Sequence, residues 1–295
     1  MNSRQGQLRR WIESACRMEV LSPKPGNVSP GNEFADSFVL DFLNSARASA
    51  PELALADTRP LGETILKAVE ATRTVVNQNT NLGIILLIAP LAAVPEGKSL
   101  KDGIADVLNA TTVHDSRYVY QAIRLAQPGG LGDSAEQDLR DEPTLNLQEC
   151  MRLAADRDLI ARQYVNGFDE VLTKGILWLQ EAAERSATQP LQISWLALRL
   201  LAEFGDSLIA RKCGQELSDV VRRKAREVLD SDWPIAHDSV RRYNEFDTFL
   251  RADGHRRNPG TTADMVAAIL FAVLREGLWA PDVNVSGSLN LKSEV

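Results

Sequence analysis

Alternating apolar and polar runs, the signature of half-buried strands, are nearly absent from this chain, and that absence rules out most folds. Apolar residues recur instead every three or four positions, the spacing that builds one face of an α-helix. Leu8, Ile12, Ala15, Cys16 and Val20 form such a stripe over residues 5–21, and Phe38, Phe42, Leu43 and Ala46 form another over 34–50. A third helix is predicted over 61–76. The run from Leu82 to Val94 is apolar on every side, which suits a helix surrounded by protein. It falls about five residues short of a bilayer span, so it reads as a central buried helix. Ser99 and Asp102 make a capping box for the next helix. Tyr118 to Ala126 continues the series up to Pro128-Gly129-Gly130. An acidic stretch at 133–144 reads as a surface loop, and helices resume over 147–163, 164–186, 192–204, 206–229, 236–252 and 262–278. No repeat or long linker interrupts the pattern. Residues 1–295 therefore predict a single all-α domain of many helices, with a frayed polar tail at about 283–295.

Composition narrows the function classes. The net charge of -7 gives no positive field to draw the chain to nucleic acid or to an anionic membrane. Of the short basic clusters, Arg222-Arg223-Lys224 reads as a solvated helix face, while Arg256-Arg257 lies beside a polar loop and stays open as a ligand contact. Cys16, Cys150 and Cys213 are odd in number and widely spaced, which suggests free thiols in a reducing cytoplasm. The polar N-terminus carries no apolar signal core.

Two loops stand out against the helical background. In Ser22-Pro23-Lys24-Pro25-Gly26-Asn27 two prolines fix φ and Gly26 permits a conformation other residues avoid. That loop is expected to be stiff and to present Lys24 and Asn27. Asn258-Pro259-Gly260-Thr261-Thr262-Ala263-Asp264 resembles it and precedes an apolar helix. Asn79-Thr80-Asn81 opens the buried run, where free amides could hold a phosphate and Gly83 leaves room for a ligand. Simple N-capping accounts for one of these three polar residues but hardly for all.

Several carboxylates fall where apolar residues are expected. Asp158 shares a stripe with Met151, Ala154, Ala161 and Val165, so it requires a cation, a metal or a set of donors. The plain alternative is an ion pair with Arg157, Arg162 or another helix. Asp264 shares a stripe with Ala267, Ala268 and Phe271, although Thr261 to Asp264 also fits a capping box; Asp115 has the same ambiguity with Thr112. Asp36 sits near the inward edge of its helix, and Asp206 has Arg211 and Lys212 nearby. His114 is read as surface or cap packing before ligand, and His237 and His255 lack metal-type spacing. Aspartates with Asn, Thr, Lys and Arg at helix starts suit Mg²⁺ and a polyphosphate, because Mg²⁺ takes few protein ligands and completes its shell with phosphate oxygens.

Taken in order, Glu19-Val20, Pro23-Lys24-Pro25-Gly26-Asn27-Val28, Asn79-Thr80-Asn81-Leu82-Gly83, Asp206-Ser207-Leu208-Ile209-Ala210-Arg211 and Asn258 to Asp264 resemble the triphosphoribosyl-dephospho-CoA synthase family. The resemblance covers about residues 12–278. It implies an all-helical enzyme that uses ATP with Mg²⁺, breaks the bond between adenine and ribose C1, and passes triphosphoribose to a hydroxyl of dephospho-CoA. On that basis Lys24 and Arg211 would neutralise the triphosphate, with Asn27, Asn79, Thr80, Asn81, Asn258 and Thr261 as further nucleotide contacts. Asp36 and Asp264 would be metal or ribosyl carboxylates, Asp206 a further metal ligand, and Asp115 and Asp158 the next catalytic candidates. Phe34 stands where the family has a histidine, and residues 154–164 replace a stretch rich in glycine and arginine. This pattern looks like a divergent branch associated with methanopterin-dependent one-carbon metabolism, so a pterin-pathway acceptor stands beside dephospho-CoA. Hydrolysis of nucleotide N-glycosidic bonds and non-catalytic nucleotide binding are the other two readings, and a homodimer is left open.

Overall fold

Residues 3–129 and 137–280 are described by a computed structural model, and every regular element among them is helical. The first half contains α1 (Ser3–Leu21), α2 (Val39–Leu53), α3 (Leu61–Arg73), α4 (Leu82–Ala93), α5 (Leu100–Asn109) and α6 (Val113–Ala126). The second contains α7 (Leu147–Arg152), α8 (Leu159–Asn166), a π-helical turn (Glu170–Gly175) that runs into α9 (Ile176–Arg185), α10 (Gln189–Phe204), α11 (Ser207–Cys213), α12 (Gln215–Asp230), α13 (His237–Arg251) and α14 (Gly260–Arg275). The expected tail at 283–295, Gly130 to Gly132 and the start of the acidic stretch lie outside the described residues.

Two helices, not one, are buried along nearly their whole length. In α4 every residue from Leu82 to Ala92 is buried; in α14 every residue from Thr261 to Leu274 is, apart from Asp264. They pack on each other, and α1, α3 and α10 close around them. On α10, Ile193, Leu196 and Leu200 face this main core, while Trp195, Leu198 and Leu201 face a second cluster built with α12 and α13. A helix apolar on both sides needs a partner on each, so α10 joins the two clusters.

Several predicted helices are broken. The expected element over 147–163 stops at Arg152 and restarts at Leu159, with Asp158 as the N-cap of α8. The element over 206–229 divides at Gly214, and 164–186 is interrupted at Gly167 before the π-helical turn. α2 begins at Val39 rather than Phe34, because Asp41 accepts from the Phe38 N–H at 2.9 Å and starts the helix there. Phe34 is instead buried with Val20 and Val28, pinning the preceding loop to the end of α1. The Ser99 cap forms as expected; the Thr112 cap, one of two readings left open for Asp115, also forms and starts α6 at Val113 rather than at the predicted Tyr118.

Proline in the body of α4 is resolved by tertiary structure. Pro90 cannot donate to the carbonyl four residues earlier, which leaves Leu86 O without its helical partner. The hydroxyl of Tyr164, fully buried in α8, donates to that oxygen at 2.6 Å. Tyr164→Phe should therefore keep the packing but strand a buried carbonyl, costing about 1–3 kcal/mol. Chemical denaturation of the variant checks this, and an unchanged midpoint would mean that the hydroxyl contributes nothing.

Candidate active site

One large cavity, of about 880 Å³, opens where the C-terminal end of α1, the 27–37 loop and the 254–260 loop meet the starts of α4, α8, α11 and α14. Each of those four starts supplies lining residues: Asn81 and Gly83, Asp158 and Ala161, Leu208, and Thr261 and Asp264, while Arg211 lines the cavity from the last turn of α11. Helix N-termini carry partial positive charge that favours an anion, but amides at all four of these starts already donate to side chains of the protein.

Polar side chains tie these starts together. Ser207 Oγ accepts from the Leu159 N–H at 2.9 Å, and Arg211 pairs with the carboxylate of Asp158. Asp158 Oδ1 also caps α8 by accepting from Ile160 and Ala161. Asp206 is fully used: Oδ1 accepts from Leu208 and Ile209, and Oδ2 accepts from the Thr262 N–H and hydroxyl, both at 2.8 Å. Burial pushes the Asp206 carboxyl up, and those hydrogen bonds oppose the shift.

Asp264 differs from all of these. It is not a cap, since α14 has already begun at Gly260, and it finds no hydrogen bond or ion pair among the described residues. It lies deep in the protein, and the part of its surface that stays open faces the cavity. Its carboxylate occupies the space above Gly83, where an added Cβ would lie 2.0 Å from Oδ2. Gly83 therefore makes room for Asp264 itself, not directly for a ligand. Burial pushes the Asp264 carboxyl well up; the charges of Glu19 and Asp206 add to this and Arg211 opposes it.

Lys24 is placed against expectation. It is 2% exposed and turned inward, with Nζ 3.1 Å from both Glu19 Oε1 and Ser22 O. Proline at 23 and 25 stiffens the loop as predicted, but the lysine serves a buried ion pair, not a solvent-facing contact. Its partner Glu19 does line the cavity. Burial pushes the Glu19 carboxyl up, and Lys24 opposes the shift. Glu19 was not singled out as a site residue, although it lies three and four positions after Cys16 and Ala15 on their apolar stripe. That is the same signal that drew attention to Asp158.

The two conspicuous loops meet. Asn27 Nδ2 donates to Pro259 O at 3.3 Å, and the first loop is clamped to α13 through Gly26 N–H to Asp247 and Arg251 to Asn27 O, both at 2.7 Å. Asn79 caps α4 by accepting from the Leu82 N–H at 3.1 Å; Thr80 and Asn81 instead bond to Ser45 and Ser49 of α2. Asn27, Asn79, Thr80, Asn81, Asn258 and Thr261 all line the cavity. Asp36 is exposed at its rim, in the loop before α2, because the helix there starts late.

Two expected site residues lie elsewhere. Asp115 is a completed cap: it accepts from the Thr112 N–H and hydroxyl and from the Gly62 N–H at 2.8 Å, binding α6 to α3 outside the cavity lining. Asp206 also lies outside the lining, with its oxygens committed to α11 and α14. The proposed metal set of Asp36, Asp206 and Asp264 is thus not brought together, and no cluster of three or more His, Cys, Asp or Glu suited to a metal occurs among the described residues. A site with fewer protein ligands is still compatible with Mg²⁺, since Asp264 offers a hard, unpartnered carboxylate to a cation shared with phosphate oxygens. Arg157, Lys212 and Arg256, not anticipated as a set, join Arg211 in the lining. Leu82, Leu86, Val119, Ile123, Leu147 and Met151 make part of the lining apolar.

The all-helical fold thus holds a cavity lined by cationic side chains, apolar side chains and a carboxylate without a partner among the described residues. The model of the ATP:dephospho-CoA triphosphoribosyl transferase (CitG) family matches residues 5–282. The chain belongs to that family. A crystal structure from Archaeoglobus fulgidus, described provisionally as a triphosphoribosyl-dephospho-CoA synthase, superposes with a TM-score of 0.62 at 26% identity, covering 80% of this chain and 99% of that one. No curated protein matches the chain. Among the described residues no helix is long and apolar enough to cross a membrane.

Two expectations follow. Lys24→Met leaves Glu19 buried without its cation and should cost about 3 kcal/mol in a denaturant titration; a loss within error would show the pair to be dispensable. Asp264→Asn should stabilise the ligand-free protein. The native carboxyl keeps its proton where the unfolded chain has lost it, so wild-type stability falls as pH rises above the ordinary carboxylate range. The stability gap between variant and wild type should close near pH 4 and widen toward pH 8. A gap independent of pH would contradict the raised carboxyl.

Proposed function

We propose that this cavity moves the triphosphoribosyl group of ATP to a hydroxyl of a dephospho-CoA-like acceptor and releases adenine. The observation that carries this reading is one cavity lined by the starts of four helices, by Arg157, Arg211, Lys212 and Arg256, and by an apolar set that includes Leu82, Leu86 and Val119. The cationic side chains suit a polyphosphate, through charge-assisted hydrogen bonds. The apolar part of the lining suits the flexible, weakly polar arm of an acceptor.

The C1–N9 bond breaks with its electron pair leaving on adenine. The acceptor oxygen bonds to C1 and gives its proton to Glu19, while adenine leaves with a proton drawn from solvent, to which Glu19 afterwards returns its own. Glu19 is assigned as the base that takes the hydroxyl proton, since its raised carboxyl is a better proton acceptor near neutral pH than an ordinary one. Lys24 holds and orients it. Asp264 is the carboxylate that would hold Mg²⁺ against the triphosphate, where the cation supplies charge neutralisation. A cation there also favours the ionised carboxylate, reversing the effect of burial. Asp36, at the rim, is left for the solvent-exposed end of the bound nucleotide.

Incubation of the full chain with ATP, Mg²⁺ and dephospho-CoA, followed by chromatography of the bases, tests the proposal. Adenine should appear only when acceptor and Mg²⁺ are both present. Asp264→Asn should lower kcat at least about 100-fold, and Arg211→Ala should act mainly on KM for ATP. Adenine formed equally without acceptor would indicate hydrolysis instead. No adenine with dephospho-CoA or with pterin precursors would remove the support for ribosyl transfer.

A further inference from the structure

Two neighbouring helices leave accessible apolar surface in the cavity. On α6 the row Val119, Ile123 and Gln127 lines it at helical spacing and passes from buried through half-buried to exposed, so the cavity opens outward along about 12 Å of this helix. On α7 and the turn after it, Met151 and Ala154 are half-buried and Leu153 is 38% exposed, and all three line the cavity. Leu139, half-buried, adds to the same lining. Since α6 packs on α7, these side chains form one trough. Ile123 and Met151 are seated on the main core, which fixes its floor.

Cations border the trough. Gly129, just past α6, lies against Lys212: a Cβ there would come within 2.9 Å of Lys212 Cε. At the end of α7, Arg157 Nη1 donates to Leu153 O at 3.2 Å. The ion pair of Arg211 with Asp158 draws their chain neighbours, Lys212 and Arg157, to the same side. Both line the cavity, and neither forms an ion pair among the described residues. An apolar trough bordered by two uncommitted cations suits a ligand whose anionic group is joined directly to a flexible, largely apolar chain. A diphosphate followed by a pantetheine arm has that order, because a dimethyl-substituted carbon chain comes next to the phosphate ester. A flat pterin would bring ring donors and acceptors against Ile123, Leu139, Met151, Leu153 and Ala154, whose side chains offer none in return.

We propose that the trough between α6 and α7 is the subsite for the pantetheine arm of the acceptor, and that Arg157 and Lys212 hold the diphosphate at its head. This assignment rests on the transfer reading above. It leaves Arg211 and Arg256 to the triphosphate of the donor. Ile123 and Met151 then favour a CoA-type acceptor over a nucleotide that lacks the arm.

Calorimetric binding of dephospho-CoA, ADP and inorganic tripolyphosphate to the full chain tests it without any turnover. ADP is dephospho-CoA without the arm. Wild type should bind dephospho-CoA at least about tenfold more tightly than ADP, the gain from burying the arm. Ile123→Asn combined with Met151→Gln makes the trough polar at similar volume and should bring that ratio below about threefold. Met151→Leu, which keeps the trough apolar, should retain it. ADP and tripolyphosphate affinities should change less than about twofold in these variants, which also reports that the cavity is folded. Lys212→Ala should weaken dephospho-CoA and ADP by the same factor, since both carry the diphosphate. Equal binding of dephospho-CoA and ADP by wild type would overturn the proposal, as would a ratio that survives the double substitution. So would a loss of dephospho-CoA binding matched by an equal loss of tripolyphosphate binding. An arm-dependent ratio without adenine release would leave this subsite standing and remove the transfer reaction. Adenine release from ATP and dephospho-CoA with no arm-dependent ratio would do the reverse.

Discussion

The contact between Asp264 and the start of α4 at Gly83 is the constraint on which the rest of the site depends. Two helices buried along most of their length cannot separate without exposing their apolar surface, so α4 and α14 are held close. At the end where both begin, the apolar packing gives way to a carboxylate seated over a backbone without Cβ. Any side chain at position 83 would have to displace Asp264. A charge-bearing group is thereby kept in a place where its ionisation is unfavourable, which is how perturbed carboxyls at functional sites arise.

Around that contact the protein uses polar residues as fasteners. Asp206 joins α11 to α14, Ser207 and Arg211 join α11 to α8, and Asn27 joins the two proline-bearing loops. Each satisfies buried backbone or side-chain groups that would otherwise be costly. The result is a ring of helix starts pointing at one volume. Lys24 belongs with the fasteners, since it positions Glu19, while the cationic lining comes from Arg157, Arg211, Lys212 and Arg256, on and around α7, α8 and α11 and the turn before α14.

Much of the fold could be read from residue spacing. The 3.6-residue period marked most helices, the uninterrupted apolar run marked α4, and the capping box at Ser99 marked one start, whereas α6 begins at Val113, ahead of the predicted Tyr118. Helix breaks were harder. A periodic pattern can persist across a turn, and the stripe that contained Met151, Ala154 and Asp158 crosses the break at 153–158, so these residues do not share one helix face. Asp158 was expected to meet a cation, a metal or a set of donors, with Arg157, Arg162 or another helix as the plain partner; it pairs with Arg211 of another helix, more than fifty positions away. Asp115, read as cap or ligand, and Asp206, read as an acid with cations nearby, both have their oxygens occupied by donors from their own helix start and from a second helix. Spacing shows that a carboxylate is inward; it does not show how many donors already meet it.

The chain by itself determined its helical class, the greasy centre and the two stiff loops, because periodicity, proline and glycine act on residues close in sequence. Which acid stays unpartnered, that Lys24 turns inward, that Phe34 meets His255 and that four helix starts share one cavity were decided by tertiary structure alone. Those outcomes depend on contacts between residues tens to hundreds of positions apart, where packing geometry and the competition for hydrogen-bond donors leave no periodic trace in the sequence.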